Sequence, residues 1–344
     1  MPAPGSNRAA QPSLEAKVAF LREPSSYPEP SFGVEARETH MSWVFLLDQH
    51  VYKLKKPVWH QLLDFRTVDA RHYFCQEEVR LNARLAPEVY LGVVPLTLDD
   101  GCQLGLGGAG IVIDWLVRMV RLPAERMLDY LLLHGGVGQR EMERIAARLA
   151  AFYRGLAPEP IGAADYRARF ALQIQSTRTE LRRECFALGA AQVAQLCDAQ
   201  LATLGRIDTL LDQRVRAGRI VEGHGDLRPE HVCLGEPLAV IDCLEFSRPL
   251  RILDCVDELG FLALECERLG APAAAAMLLQ AYARQSGDAA PARVLHFYQS
   301  CRGATRALIA ARHLLDEKFR HSPHWLRRAR HYLQLAQQHI DLCR

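Results

Sequence analysis

The sequence predicts an α+β protein of two lobes, a β-rich first third with one main helix followed by a larger, mainly helical remainder. Three observations lead there. Between Val34 and Pro123 the apolar residues come in short alternating runs broken by turns, the period of half-buried strands. One stretch of that region, from Thr67 on, has helical spacing instead. After Pro123 helical spacing takes over, interrupted by short strand-like pieces around Val232 and Val240. A chain of 344 residues with 49% hydrophobic content can bury one large core or two.

In chain order, residues 1–13 are Pro/Ala/Ser-rich and read as a mobile tail rather than a signal peptide. Residues 14–122 form the N-lobe. Within it, Trp43-Val44-Phe45-Leu46-Leu47 and Val51-Tyr52-Lys53-Leu54-Lys55, separated by Asp48-Gln49, read as a hairpin. Residues 67–85 read as a helix with Thr67 as its N-cap. Strands over 91–98 and 111–121 follow, joined by a Gly-rich turn, for a sheet of about five strands by this pattern. Residues 123–344 form the helical C-lobe, with helices at 127–134 and 141–156, a long helical stretch over 163–217, and helices from Asp254 onward broken near Pro272 and Ser286.

Composition narrows the function. A formal charge of +2 gives no electrostatic case for nucleic acid. Arg327, Arg328 and Arg330 read as a solvated helix face. Ten cysteines without a C-x-x-C pair argue against zinc and suit a reducing cytoplasm. No stretch is apolar for long enough to span a membrane.

The chemistry is concentrated in His224-Gly225-Asp226-Leu227-Arg228-Pro229-Glu230-His231 and in Val240-Ile241-Asp242. Asp226 is expected in a loop after a helix, Asp242 at the end of a strand sixteen positions later. Phosphoryl transfer from a nucleotide needs such a pair. One carboxylate accepts the hydroxyl proton or orients the nucleophile, and the other holds Mg²⁺ against the phosphates.

The order of Lys53-bearing strand, Glu78-bearing helix, hinge strand, His-Gly-Asp loop and Ile-Asp strand resembles the aminoglycoside phosphotransferase branch of the protein-kinase-like fold. The runs Glu38-Thr39-His40-Met41-Ser42-Trp43-Val44-Phe45, Lys53-Leu54-Lys55-Lys56-Pro57, Glu77-Glu78-Val79-Arg80-Leu81-Asn82 and Tyr90-Leu91-Gly92-Val93-Val94-Pro95 are similar to one bacterial group within it. In some members of that group the domain is fused to a P-loop kinase domain. The resemblance covers residues 15 to 335 and implies an ATP-dependent kinase of a hydroxyl- or amine-bearing small molecule.

Each implied role has a physical reason. Asp226 is the catalytic base and Asp242 a metal ligand. Lys53 binds nucleotide phosphates and Glu78 fixes its ammonium; Lys55, on the same strand face, is the alternative lysine, and Glu77 the alternative carboxylate. Val117 and Met119 fall at the family's hinge, where backbone bonds adenine and Met119 or Val120 touches the ring. The turn Thr39-His40-Met41-Ser42 stands where phosphates are covered, and the hydroxyls of Thr39 and Ser42 would contact them. His224 braces the loop. Asp254 matches a carboxylate that supports this loop and is also an N-cap candidate. His231 stands where most of these enzymes have asparagine. It would ligate the metal directly or through water, contact phosphate, or favour Mn²⁺ over Mg²⁺; equally, it would mark a weakened enzyme. Arg228 would meet a phosphate or an acidic substrate, or form a surface ion pair. The helix over 297–315 and the loop after Pro249 are expected to line the acceptor site, and Asp226 and Asp242 to converge on one cleft.

Gly105-Leu106-Gly107-Gly108-Ala109-Gly110 fits G-x-G-x-x-G, but a strand-like run follows it where a dinucleotide fingerprint needs a helix. It reads as a hairpin turn. Two other functions stay open beside the kinase: a nucleotide-responsive binding module with little or no activity, and nucleotidyl transfer on the same fold.

Overall fold

The computed structural model describes residues 12–60, 63–320 and 322–343. They form two compact units, Met1–Pro123 with Ala239–Ser247, and Ala124–Leu238 with Arg248–Arg344. The segment that carries Asp242 thus groups with the first unit, although the sequence reading put everything past residue 122 in the helical lobe. Of the expected tail, residues 1–11 lie outside the described residues, whereas Ser13 caps a helix, its Oγ accepting from Ala16 N at 3.2 Å.

The first unit is built on a six-stranded antiparallel sheet, one strand more than expected. Its strands are β1 (Glu35–Glu38), β2 (Ser42–Leu46), β3 (His50–Lys55), β4 (Tyr90–Leu98), β5 (Leu104–Leu106) and β6 (Ile111–Val120), in the order β1-β2-β3-β6-β4-β5. Neither β1 nor the short β5 was among the four strands that the sequence pattern placed. Alternation along β3 divides its side chains between the two faces. Tyr52 and Leu54 join Phe45 and Leu116 in a core closed by Val18 and Leu21 of α1 (Leu14–Leu21). Val51, Lys53 and Lys55 have the opposite parity. In register with Lys53 stand Val44 on β2 and Val117 on β6.

Helix α1 was also not foreseen. Its Lys17 donates to Asp114 of β6 at 2.8 Å, and Arg71 of α2 (Val68–Asn82) grips the same carboxylate at 2.7 and 3.0 Å. Thr67 caps α2 as expected, its Oγ1 accepting from Ala70 N at 3.1 Å. The Gly-rich segment begins within β5, runs on to β6 and opens no helix. Its requirement for glycine is steric at Gly110, where a Cβ would overlap the carbonyl of Leu98.

The second unit is helical: α3 (Leu128–Leu133), α4 (Gln139–Arg154), α5 (Ala163–Leu181), α6 (Ala190–Arg206), α7 (Asp208–Arg216), α8 (Cys255–Arg268), α9 (Pro272–Ser286), α10 (Ala292–Arg312) and α11 (Pro323–Asp341). The expected run over 163–217 is three helices, broken at Gly189, whose φ is +76°, and at Ile207. An antiparallel pair, Ile220–Glu222 with Ile252–Asp254, leads into the motif loop on one side and into α8 on the other. Among the described residues no helix is long and apolar enough to cross a membrane.

Asp254 is fully buried and caps α8, accepting from Val256 N at 2.9 Å. Arg214 of α7 binds it at 2.7 and 2.6 Å and also holds the buried Asp288. Tyr298 of α10 donates to it at 3.0 Å. One carboxylate thereby ties α7, α8 and α10. Replacing Arg214 with methionine strands two buried carboxylates and should cost about 3–5 kcal/mol in urea unfolding. A loss under about 1 kcal/mol would contradict this account of the helical core.

Candidate active site

In the first unit, two lysines and three carboxylates form one charge network. Lys53 Nζ lies 2.8 Å from Glu78 Oε1 and 2.9 Å from Asp242 Oδ1. Lys55 Nζ lies 2.6 Å from the other Glu78 oxygen and also holds Glu245. Both lysines therefore reach Glu78, as their shared strand face allows, and exposure distinguishes them. Lys55 is fully enclosed, whereas 15% of the Lys53 side chain remains open, as does 44% of Asp242. Glu77, the alternative carboxylate, faces outward and pairs with Arg80.

Burial opposes charge throughout this group, and pairing overcomes it. For Lys53, desolvation is offset by Asp242 and Glu78, leaving its pKa well above the usual lysine range. For Lys55, Glu245 and Glu78 likewise overcome burial and raise it. Burial pushes the Glu78 carboxyl up, yet the two ammonium groups hold it below its ordinary value.

The backbone around Asp242 is set with equal care. Asp242 lies two residues past the extended pair Ala239–Val240, not on the strand itself, and has φ +60°. A left-handed aspartate is sparsely populated and needs support. Its N–H donates to Tyr90 Oη at 3.0 Å. The next N–H, of Cys243, donates to Asn82 Oδ1 at 2.8 Å, while Asn82 Nδ2 donates to the Glu78 carbonyl at 2.8 Å. The end of α2 thus positions both Glu78 and the Asp242 segment.

Thr39 and Ser42 close the β1–β2 turn on themselves. Thr39 Oγ1 donates to Ser42 O at 2.9 Å and accepts from Ser42 N at 3.0 Å, so that hydroxyl is engaged within the turn. Ser42 is buried. Val117 and Met119 sit on a strand paired along both edges, by β3 and β4, which commits their backbone to the sheet. Val117 is fully buried and Met119 nearly so.

In the second unit the motif loop is held from below by Glu258, in the first turn of α8. Its carboxylate accepts from His224 N at 2.9 and 3.1 Å, from Gly225 N at 2.6 Å and from Tyr153 Oη at 2.7 Å. Gly225 has φ +90°, and a Cβ on Gly223 would lie 2.7 Å from Glu258. Both glycines are sterically required. His224 is buried and its Nδ1 accepts from Asp226 N at 3.3 Å, the bracing role expected of it. Asp254, four residues before Glu258, fills the N-cap role that the sequence offered it, and Glu258 braces the loop.

Asp226 itself is partly exposed. Arg228 Nε donates to its Oδ2 at 3.0 Å. His231 Nδ1 donates to the Asp226 carbonyl at 2.8 Å, which makes Nε2 the acceptor for Arg228 Nη2 at 3.0 Å. The lone pair that a metal would use on His231 is thus taken by Arg228. Glu245, Tyr90, Asn82, Glu258 and Tyr153 were not singled out by the sequence. Glu258 lay within the quoted run around Asp254, and Asn82 closed the run around Glu78.

No protein-family model matches the chain. Uncharacterized proteins of Mycobacterium tuberculosis and Mycobacterium bovis are 32% identical to it over 313 residues, which is 90% of this chain but 60% of theirs. The chain therefore spans about three fifths of the length of these curated relatives. Solved structures match it closely to full length. They include a GDP complex of a variant aminoglycoside 2'-phosphotransferase-IIIa, with TM-score 0.54, 13% identity, and 95% and 98% of the two chains covered. A choline/ethanolamine kinase family protein from Mesorhizobium loti has TM-score 0.52, 14% identity and coverage of 96% and 98%. An AMP complex of spectinomycin phosphotransferase has TM-score 0.51, 10% identity and coverage of 94% and 98%. The chain has the protein-kinase-like fold of these small-molecule phosphotransferases.

The depressed Glu78 pKa sets a pH signature. A carboxylate lowered in the folded state contributes stability above its unfolded value, near 4.5, and that contribution is lost as pH falls through the folded value. In urea unfolding, wild type should exceed Glu78→Gln by about 3 kcal/mol at pH 7, with the gap closing below about pH 4.5. A gap that stays constant down to pH 3 would contradict the assignment.

Proposed function

We propose that this chain is a nucleotide-dependent phosphotransferase that moves the terminal phosphoryl group of ATP to a hydroxyl or amine of a small molecule. The observation that carries the reading is the Lys53 ammonium, fixed between Glu78 at 2.8 Å and Asp242 at 2.9 Å and still partly open. A lysine held in this way presents its charge to phosphate oxygens at little further cost in side-chain entropy. Glu78 positions it, and Lys55 with Glu245 locks Glu78 from the buried side.

Asp226 then accepts the acceptor proton. Its position comes from the Glu258 brace and from His224, and its exposure leaves room for a substrate atom. Mg²⁺ is bound by one or two carboxylates together with phosphate oxygens and waters. The half-exposed Asp242 carboxylate fits that demand, and among the described residues no ready-made cluster of three or more His, Cys, Asp or Glu exists for a metal. Asp242 would hold the ion, whose charge would offset the negative charge that develops on the phosphates. In the second unit, His231 would ligate a metal only after Arg228 moves away. With the backbone of Val117 and Met119 committed to the sheet, hydrogen bonds to adenine would fall to backbone past Val120, and Met119 or Val120 would touch the ring.

A nucleotide-responsive module with weak turnover is the second reading. The Arg228–Asp226 ion pair at 3.0 Å favours it, because a neighbouring cation lowers the basicity of a catalytic carboxylate.

Asp242→Ala should abolish metal-dependent nucleotide turnover. Asp226→Asn should leave nucleotide affinity within a few-fold while lowering turnover by about 10²-fold or more. Rates are measured by release of labelled phosphate or ADP across a panel of hydroxyl- and amine-bearing acceptors. Equal rates for wild type and both variants would refute the mechanism.

A further inference from the structure

On the second unit, several guanidinium groups gather over two aromatic rings, and one of them, of Arg306, interacts with Asp226. The ring of Tyr332, on α11, has three arginines over it: Arg268 at 5.8 Å, Arg306 at 5.7 Å and Arg328 at 5.9 Å. Arg306 also lies over Phe261 at 5.9 Å, beside Arg302 at 5.2 Å. These arginines do not share the same pairing. Arg302 is matched by Asp257 in a two-pronged pair at 2.8 Å, and Arg268 is held by Glu265 at 2.6 Å and Glu230 at 3.2 Å.

Arg306 is different. Its side chain is only 14% exposed, and its nearest carboxylate oxygen, on Glu265, stands 3.6 Å from Nε, beyond hydrogen-bond length. That Glu265 oxygen already accepts from Tyr332 Oη at 2.7 Å. Arg306 Nε is buried with no hydrogen-bond partner among the described residues. Its charge is close enough to interact with both Asp226 and Arg228. Arg328, stacked on Trp325 at 5.7 Å as well as on Tyr332, has no carboxylate within ion-pair distance among the described residues. The contacts that run from Asp226 to the Tyr332 ring thus connect four guanidiniums, of Arg228, Arg268, Arg306 and Arg328, with three carboxylates, of Asp226, Glu230 and Glu265.

A buried guanidinium nitrogen without an acceptor is costly and is rarely kept without a purpose. Arg306, with a buried Nε that lacks a hydrogen-bond acceptor and a charge that interacts with Asp226, and Arg328, over the same Tyr332 ring and without a carboxylate partner among the described residues, have donors left for a carboxylate or phosphate group. They would also repel a cationic acceptor.

We infer that the acceptor is an anion, a small hydroxylated carboxylate or phosphate ester whose charged group is held by Arg306 and Arg328 while its hydroxyl meets Asp226. The inference rests on the phosphotransferase reading and names its substrate class. In the step, the acceptor O–H bond breaks and its proton passes to Asp226 while the oxygen bonds to the γ-phosphorus of a nucleoside triphosphate. The bridging P–O bond breaks, and its electron pair leaves on the nucleoside diphosphate. No group changes oxidation state.

The test is calorimetric titration of ADP-saturated protein with gluconate, glucose 6-phosphate and choline, using wild type, Arg306→Gln, Arg306→Lys and Arg328→Gln. Gluconate and glucose 6-phosphate separate a carboxylate site from a phosphate site. At least one anion should bind wild type, and choline should not. Arg306→Gln and Arg328→Gln should each weaken that anion by about tenfold or more, and Arg306→Lys should retain most of the affinity. The inference is overturned if choline binds as tightly as either anion, if neither anion binds, or if Arg306→Gln stays within twofold of wild type. ADP affinity of wild type tests the phosphotransferase reading separately. If ADP does not bind, that reading fails, and the anion titrations repeated without nucleotide still decide the subsite.

Discussion

The constraint on which the first unit depends is the sharing of Glu78 between two lysines. A single buried carboxylate beside one ammonium would be a neutral pair with no reason to leave either group open. Two ammonium groups on one strand face change that balance. Lys55 is enclosed and, with Glu245, fixes one oxygen of Glu78. The other oxygen then has one possible partner, Lys53, whose remaining donors face outward alongside Asp242. Such networks are weak evidence for stability, since hydrophobic replacements often do as well. Their value lies in placing a charge in one position.

The second unit solves the corresponding problem with backbone rather than charge. Glu258 receives two loop amides and a tyrosine hydroxyl, so the residues before Asp226 cannot shift without exposing a buried carboxylate. Gly223 permits the approach and Gly225 the turn. Asp254, four residues earlier, serves the helical core instead by tying α7 to α10. Two carboxylates one turn apart on the same helix start thus divide the work, one for the loop and one for the scaffold.

Much of this was legible in the sequence because it is local. Strand alternation placed the hairpin of β2 and β3, the Thr67 cap opened α2, and the lysine–glutamate and aspartate motifs marked their own neighbourhoods. What stayed hidden is non-local. Helix α1 has an ordinary composition, and its reason for being ordered, the Lys17–Asp114–Arg71 cluster, joins residues almost a hundred positions apart. Asp242 read as a strand end because Val240-Ile241 is apolar. Only the bonds that the Asp242 and Cys243 amides donate to Tyr90 and Asn82 reveal the left-handed turn beyond it. The cap offered by Asp254 was legible, but the part of Glu258 in bracing the loop was not, because both are acidic residues at one helix start and only their partners separate them. Arg328 read as a solvated helix residue; helical spacing does set it beside Trp325 and Tyr332, but it cannot report that Arg306, from another helix, lies over the same Tyr332 ring.

The central claim is that Lys53 is held for nucleotide phosphates. Isothermal titration of ADP with Mg²⁺ into wild type and Lys53→Met addresses it most directly. Binding to wild type that weakens by about tenfold or more in the variant, with the fold intact by circular dichroism, is the predicted result. Absence of binding to wild type, or equal affinity in both proteins, would contradict the account.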